Sequence, residues 1–305
     1  MKFPDELMFL KNGRAKQKQT SQSMTGLLTV VSGATSGVGL STIKRLAKAG
    51  SNIVMVCRNQ AKAEPIKRAI ESQYSVSVDI VIADFMVFDS VKSAASLINK
   101  SYDRIDVLIN SVGIHSTKKI YTKDGIESSF CVNHLSVFLF TELLLDKLIK
   151  SAPARIIHVS SEGHRFSGVN LKDVNFKRRI YTGLRGYGQS KSAQLLAMSA
   201  HNELLKGTGV TINACHPGAV KTNIGNNNGL LYRVFSKVIT SRFLKDVSRA
   251  SDALYYLAAD PSMQAISGKF FHLTIEEKPA KHALTHDLVN PVYNLSKVMT
   301  GLANE

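Results

Sequence analysis

The stretch Val30-Val31-Ser32-Gly33-Ala34-Thr35-Ser36-Gly37-Val38-Gly39 decides how the rest of the chain is read. The apolar run at 27–31 reads as a buried strand. The glycine turn then leads into a stretch with Ile43, Leu46 and Ala47 on one face, which reads as a helix. A strand, a tight turn and a helix start aim backbone N–H groups and the positive end of a helix dipole at one spot, which suits a pyrophosphate. Glycine lets such a ligand come close to the backbone. The spacing Gly33-x-x-x-Gly37-x-Gly39 differs from the usual Gly-x-Gly-x-x-Gly dinucleotide fingerprint, so the loop by itself is a weak signal. A glycine-rich loop that only makes a tight connection is the competing reading.

Outward from this turn the chain alternates strand-like apolar runs, at 52–57, 77–83, 105–109, 156–160 and 210–215, with helix-like stretches. Continuous β-branched strands separated by amphipathic helices predict a parallel sheet with helices on both faces: an α/β, doubly wound Rossmann-type domain over 27–305. Ligands of this fold bind outside the carboxyl ends of the strands. Those ends read Arg58-Asn59, Asp84-Phe85, Asn110-Ser111-Val112-Gly113, Ser160-Ser161 and His216-Pro217-Gly218. Residues 1–26 differ in character. They form a basic extension whose polar run at 17–23 reads as a linker, while 3–10 reads as a short helix packed on the body.

The bulk numbers exclude several classes. With 44% hydrophobic and 20% charged residues among 305, the composition is that of a globular protein rather than a disordered or fibrous one. Cys57, Cys131 and Cys215 lie far apart without a Cys-x-x-Cys pair, so neither a disulfide framework nor a zinc–thiolate site is expected, and a reducing, cytoplasmic setting fits. The longest apolar stretch, around 137–145, is broken by Thr141 and Glu142 and falls short of the roughly 18 to 20 residues of a membrane span. No cleavable signal sequence is visible. A net charge of +16 admits anionic cofactors, acidic membrane surfaces or nucleic acid. The positive residues are spread without a zinc-finger, helix-turn-helix or aromatic–basic signature, so nucleic acid is set aside. His282 and His286 have helical metal spacing but no carboxylate partner, and no metal is expected.

The chemistry is carried by Tyr187-Gly188-Gln189-Ser190-Lys191, where a four-residue spacing puts tyrosine and lysine on one helix face. A tyrosine of ordinary pKa, about 10, is a poor proton-transfer group at neutral pH, and a nearby ammonium favours its phenolate. Lys191 is therefore expected to tune Tyr187.

Taken with Gly33-x-x-x-Gly37-x-Gly39, Asn110-Ser111-Val112-Gly113, Asn133, Ser160-Ser161 and Pro217-Gly218, in that order, the chain resembles the short-chain dehydrogenase/reductase family over roughly 27–271. Val56-Cys57-Arg58-Asn59, Asn133-His134-Leu135, Val159-Ser160-Ser161 and His216-Pro217-Gly218-Ala219-Val220-Lys221-Thr222 are similar to its NADP-dependent, retinol-dehydrogenase-like members. The resemblance implies a tetrad of Asn133, Ser161, Tyr187 and Lys191. In it tyrosine exchanges the alcohol proton, Ser161 holds the substrate oxygen, Lys191 also binds the nicotinamide ribose, and Asn133 props a water that links lysine to solvent. It implies nucleotide contacts from Ser32, Gly33, Thr35, Ser36, Gly37, Val38 and Gly39 in the turn. Further contacts are implied for Arg58, Asn59, Asp84, Phe85, Asn110 and Gly113 at strand ends, and for Pro217, Gly218, Val220 and Thr222 after the last long strand.

Two departures stand out: Ser32-Gly33 where the family usually has Thr-Gly, and Asn110-Ser111-Val112-Gly113 where it has Asn-Asn-Ala-Gly. The stretch 162–186 is long and is expected to border the substrate pocket, with His164 read as a loop residue there. Residues 221–247 are expected to form a substrate lid, whose basic amphipathic part at 230–245 leaves peripheral membrane contact open. Enzymes that use NAD commonly place an acidic residue about 20 positions past the glycine turn, whereas an arginine accommodates a 2′-phosphate. Arg58 stands there and no carboxylate precedes Glu64, so NADP(H) is expected over NAD(H). The reading is an NADP(H)-dependent oxidoreductase for an apolar carbonyl or alcohol. A non-enzymatic nucleotide-binding or scaffold role, C=C reduction and epimerisation are the alternatives, and homo-oligomerisation stays open.

Overall fold

The computed structural model describes residues 8–218 and 247–303. One sheet of eight strands runs in the order β3-β2-β1-β4-β5-β6-β7-β8. Its strands are β1 Leu28–Ser32, β2 Asn52–Cys57, β3 Val78–Ile82, β4 Val107–Asn110, β5 Ala154–Val159, β6 Val210–His216, β7 Phe270–His272 and β8 Ile275–Glu277. All neighbouring pairs are parallel except β7 with β8. The strand order reverses between β1 and β4, which makes their carboxyl ends the switch point where this fold binds ligands.

The inner strands β1, β2 and β4 are mostly apolar and buried because both faces of the sheet are covered there. Along β2, Ile53, Met55 and Cys57 enter one apolar layer while Val54 and Val56 enter the other. The first layer is closed by α2 Gly37–Lys48, α3 Gln60–Gln73 and α7 Val247–Ala259, through Ile43, Leu46, Ile70 and Leu254. The second is closed by α4 Phe88–Ser101, α5 Ser128–Lys150 and α6 Gly183–Leu204, through Ile98, Phe140, Leu144 and Leu195. Helix α8, His286–Thr300, packs outside α5 and α6 through Val292, against Phe130, Leu135 and Leu196.

Helix α5 corrects the expectation that no segment is apolar enough to span a membrane. At 23 residues it is long and apolar enough, but 83% of its most apolar window is buried inside the protein. It is a core helix whose polar members have internal partners: Glu142 takes hydrogen bonds from His201 and Tyr293, and Thr141 bonds the Val137 carbonyl.

The polar run expected to be a linker is tied down instead. After the short helix α1, Met8–Asn12, the Gln17 Oε1 accepts from both the backbone N–H and the hydroxyl of Thr274, and the Lys18 N–H donates to Thr274 Oγ1. The Tyr255 hydroxyl bonds the Gln22 carbonyl, and Met24 N donates to Ala49 O at 2.7 Å. The segment straps the end of the sheet beside β8, where an uncovered edge strand would otherwise offer unpaired backbone groups.

Candidate active site

A cleft of about 890 Å³ opens at the carboxyl ends of the strands. The glycine turn forms one wall. Gly33 has φ 72°, and a Cβ there would lie 2.9 Å from the backbone of Val112. A Cβ at Gly39 would lie 2.3 Å from the Gly33 carbonyl oxygen, so the start of α2 sits too close to the turn for any side chain. Ser36 caps α2 with extended backbone but no side-chain bond, and the first turn holds no acidic residue. The leading N–H groups of the helix therefore stay available to an anion, which fits the pyrophosphate of a dinucleotide. Thr35, Ser36, Gly37, Val38 and Gly39 line the cleft. Ser32 does not: it is fully buried, and its hydroxyl accepts from Val112 N at 3.4 Å, tying β1 to the loop after β4.

At the β2 end, Arg58 and Asn59 are exposed and line the cleft, joined by Lys62. Asn59 Oδ1 accepts from Lys62 N at 2.9 Å and so starts α3 there, bringing a second cation beside Arg58. Asp84, Phe85 and Gly113 also line the cleft. Asp84 Oδ1 accepts from Met86 N at 2.9 Å, and the Phe85 ring is buried against Phe140. Asn110 departs from expectation. It is the last residue of β4, and the pleat turns its side chain into the protein, where Nδ2 donates to Thr141 Oγ1 at 3.0 Å and meets His158 Nδ1 at 3.3 Å.

At the other end of the cleft stand Ser161, Tyr187 and Lys191, with Pro217 and Gly218 opposite. Ser161 caps the short 3-10 turn Glu162–Phe166, accepting from Gly163 N at 3.0 Å. Its hydroxyl lies beside the Tyr187 ring: a Cβ on Gly163 would lie 2.5 Å from Tyr187 Cε1 and 3.2 Å from Ser161 Oγ. Burial pushes the Tyr187 phenol up, and Ser161 opposes that. Lys191 is 2% exposed, and burial brings it down to about 7. Its ammonium donates to Val159 O at 2.9 Å and to Gln194 Oε1 at 3.3 Å. Of the pair that the spacing set on one helix face, Lys191 reaches a carbonyl of β5.

Asn133 sits in a π-helical turn of α5, Cys131–Leu135, and is fully buried beside the cleft rather than lining it. Its amide accepts from Ile114 N at 2.7 Å and donates to Ile114 O at 2.9 Å and Ser190 Oγ at 3.0 Å. Its backbone carbonyl accepts from Gln194 Nε2 at 3.3 Å. Gln194 thus bridges the Asn133 carbonyl and the Lys191 ammonium inside the protein.

Comparison with known proteins agrees with this geometry. The family model described as short chain dehydrogenase matches residues 28–230. The chain is 33% identical to human retinol dehydrogenase 13 over 299 residues, covering 96% of this chain and 89% of that protein. The chain belongs to the short-chain dehydrogenase family. It is also 31% identical to the human WW domain-containing oxidoreductase, over 90% of this chain and 68% of that protein. An uncharacterized protein from Mycobacterium paratuberculosis superposes with a TM-score of 0.74 at 26% identity, covering 94% and 98% of the two chains. A short-chain dehydrogenase from Burkholderia cenocepacia, solved in complex with NADP, shares the fold at a TM-score of 0.65 and 20% identity, over 82% and 96% of the two chains.

In this short-chain dehydrogenase the long stretch after Ser161 packs inward at its start, where Gly163 and His164 are buried. His164 is not a loop residue: it is fully buried, Nδ1 donates to Ser161 O at 2.7 Å, Nε2 accepts from Ala280 N at 3.0 Å, and burial brings it down to about 4. It braces the serine turn as a neutral ring. Val220, Thr222 and the expected lid at 221–247, apart from Val247 at the start of α7, lie outside the described residues. Three residues escaped the reading of the sequence. Lys62 sits one helical turn past Arg58, Gln194 one turn past Lys191, and the His115 ring meets the Tyr187 ring edge-on at 5.4 Å. The first two were within reach of helical spacing; His115 carries no pattern.

Proposed function

We propose that this chain is an NADP(H)-dependent oxidoreductase acting on the carbonyl of an apolar aldehyde or ketone, or on the matching alcohol. The observation that carries the reading is the Ser161–Tyr187 hydroxyl pair at one end of the cleft, beside the buried Lys191. When bound, nicotinamide supplies or accepts the hydride. Charge then builds on the substrate oxygen, and two hydroxyl donors aimed at one point stabilise it. A phenol raised by burial is held protonated at neutral pH, so Tyr187 can give its proton to the carbonyl oxygen as hydride arrives and take it back in the reverse direction. Lys191 and its bridge through Gln194 hold the helix face next to it and offer an ammonium to a ribose hydroxyl.

NADP(H) over NAD(H) is supported by Arg58 and Lys62 at the far end of the cleft, where no carboxylate lines the wall of β2. An apolar substrate is supported by the relatives that carry the name retinol dehydrogenase. NADPH absorbance followed against long apolar aldehydes, including a polyene aldehyde, and against ketones and quinones tests the proposal. Turnover of an aldehyde is expected. Intact NADPH binding with no turnover across the panel would favour a non-enzymatic nucleotide-binding protein.

A further inference from the structure

Four elements bring metal-ligating side chains together at the ends of β6 and β7. Glu162 comes from the turn after β5, His216 ends β6, His272 ends β7, and Glu277 ends β8. His216 and His272 are register partners on adjacent strands, and their rings meet edge-on at 4.8 Å. Arg165 occupies one oxygen of each carboxylate, through Nε to Glu162 Oε2 at 2.6 Å and Nη2 to Glu277 Oε1 at 2.7 Å. Glu277 Oε2 accepts from Asn12 Nδ2 at 2.8 Å.

What remains is unusual. Glu162 Oε1, His216 Nδ1 and His272 Nδ1 are all buried with no hydrogen-bond partner among the described residues. Buried polar atoms are normally paired, so three left unpaired on side chains clustered this closely call for a common partner. His272 Nδ1 stands 3.6 Å from Glu162 Oε1 and 3.7 Å from Glu277 Oε2. Those separations are too long for hydrogen bonds. They are close to the edge of a tetrahedron around an ion with bonds of about 2.0–2.2 Å, which is roughly 3.4 Å. One ligand atom from each of Glu162, His216 and His272 lies within 4.8 Å of the others, so small side-chain rotations close the set.

We propose that Glu162, His216 and His272 bind one divalent transition-metal ion, zinc by preference, with Glu277 or water in the fourth position. Two imidazoles and a carboxylate are ligands that suit zinc, whereas calcium and magnesium prefer an all-oxygen shell. The role is structural. Glu162 follows Ser161 directly and His216 lines the cleft, so the ion would lock the serine turn to the ends of β6 and β7. The ligands lie far apart in sequence, which is why no spacing pattern revealed them.

The test uses the full chain, stripped with a chelator and desalted. Zinc is titrated by calorimetry and cobalt(II) by visible absorption. One equivalent of zinc and the intense d–d bands of four-coordinate cobalt are expected. His272→Asn and Glu162→Gln should each weaken zinc binding by at least about tenfold, the loss that even an outer-shell change brings. Retained NADPH binding reports that each variant is folded. A His282→Ala/His286→Ala double variant should bind as the wild type does. The proposal is overturned by an absence of saturable binding to the wild type. Zinc affinity unchanged in both ligand variants, or lost in the His282/His286 variant, would overturn it equally.

Discussion

Tyr187 and Lys191 each bear a cost of burial that the other does not relieve, and that separates their roles at the residue scale. The phenol is raised by burial and answered by Ser161, whereas the ammonium is lowered to about 7 and answered by Val159 and Gln194. Tyr187→Phe keeps the ring and removes the proton. Aldehyde reduction should fall about 10²- to 10⁴-fold while NADPH titration by fluorescence stays close to wild type; a fall below about tenfold would move proton transfer to another group. Lys191 gives a pH signature without any substrate. Its native value lies near 7 against an ordinary 10.5, so between those values the unfolded chain binds more protons than the native one. Stability of the nucleotide-free protein should therefore rise with pH across that window. Urea midpoints from pH 7 to 10 should climb for the wild type relative to Lys191→Met; parallel curves would mean that the ammonium keeps its charge in the native state.

At the scale of elements, the 3-10 turn after β5 sets the reacting end of the cleft. A Cβ on Gly163 would lie 2.5 Å from Tyr187 Cε1 and 3.2 Å from Ser161 Oγ. Gly163 is not among the glycines of positive φ, so alanine fits the backbone and the collision falls on the ring. Displacement of a reacting group by about 1 Å can cost on the order of 10²-fold, so Gly163→Ala should lower kcat by about that much. Its melting temperature and NADPH affinity should change little, and unaltered kcat would place the reacting hydroxyl away from this turn. The same elements show what could be read from the sequence. Strands β1 to β6 were legible because each is four to seven residues long and rich in aliphatic, often β-branched residues, while β7 and β8, three residues each, are too short to carry a pattern. Helix α5 was underestimated because Thr141 and Glu142 look like interruptions, yet both are satisfied inside. The glycine turn, Ser161, Tyr187 and Lys191 all line one cleft. Asn110 was misplaced because a motif fixes position along a strand, whereas the pleat decides which face the side chain takes. His164 was beyond reach, since its partner Ala280 is brought to it only by the tertiary fold.

Across the whole molecule, the cleft runs from two cations at the end of β2 to two hydroxyls at the end of β5 and start of α6, with the uncapped helix α2 between them. A dinucleotide bound along it would span the switch point and hold both halves of the sheet, so its binding should appear as global stability. Arg58 offers a charge-assisted bond to a 2′-phosphate that NADH lacks, with Lys62 beside it. Bonds to charged groups contribute about 1.5 to 3 kcal/mol, but Arg58 is exposed and screened, so the lower end applies and discrimination of about tenfold is expected. Saturation at about 100 times Kd stabilises a fold by about 2.7 kcal/mol, and a ligand bound tenfold more weakly at the same concentration by about 1.4 kcal/mol. At roughly 2.1 cal/mol/K of unfolding entropy per residue, 305 residues give about 1.6 °C per kcal/mol, so a difference of about 1.3 kcal/mol lets NADPH raise the melting temperature about 2 °C more than NADH does. The gap should narrow as salt is added, because an exposed pair is screened within about 10 Å at 0.1 M. Arg58→Asp should reverse the order of the two cofactors. Equal melting temperatures with NADPH and NADH in the wild type would show that the cations at the end of β2 do not meet the ribose phosphate.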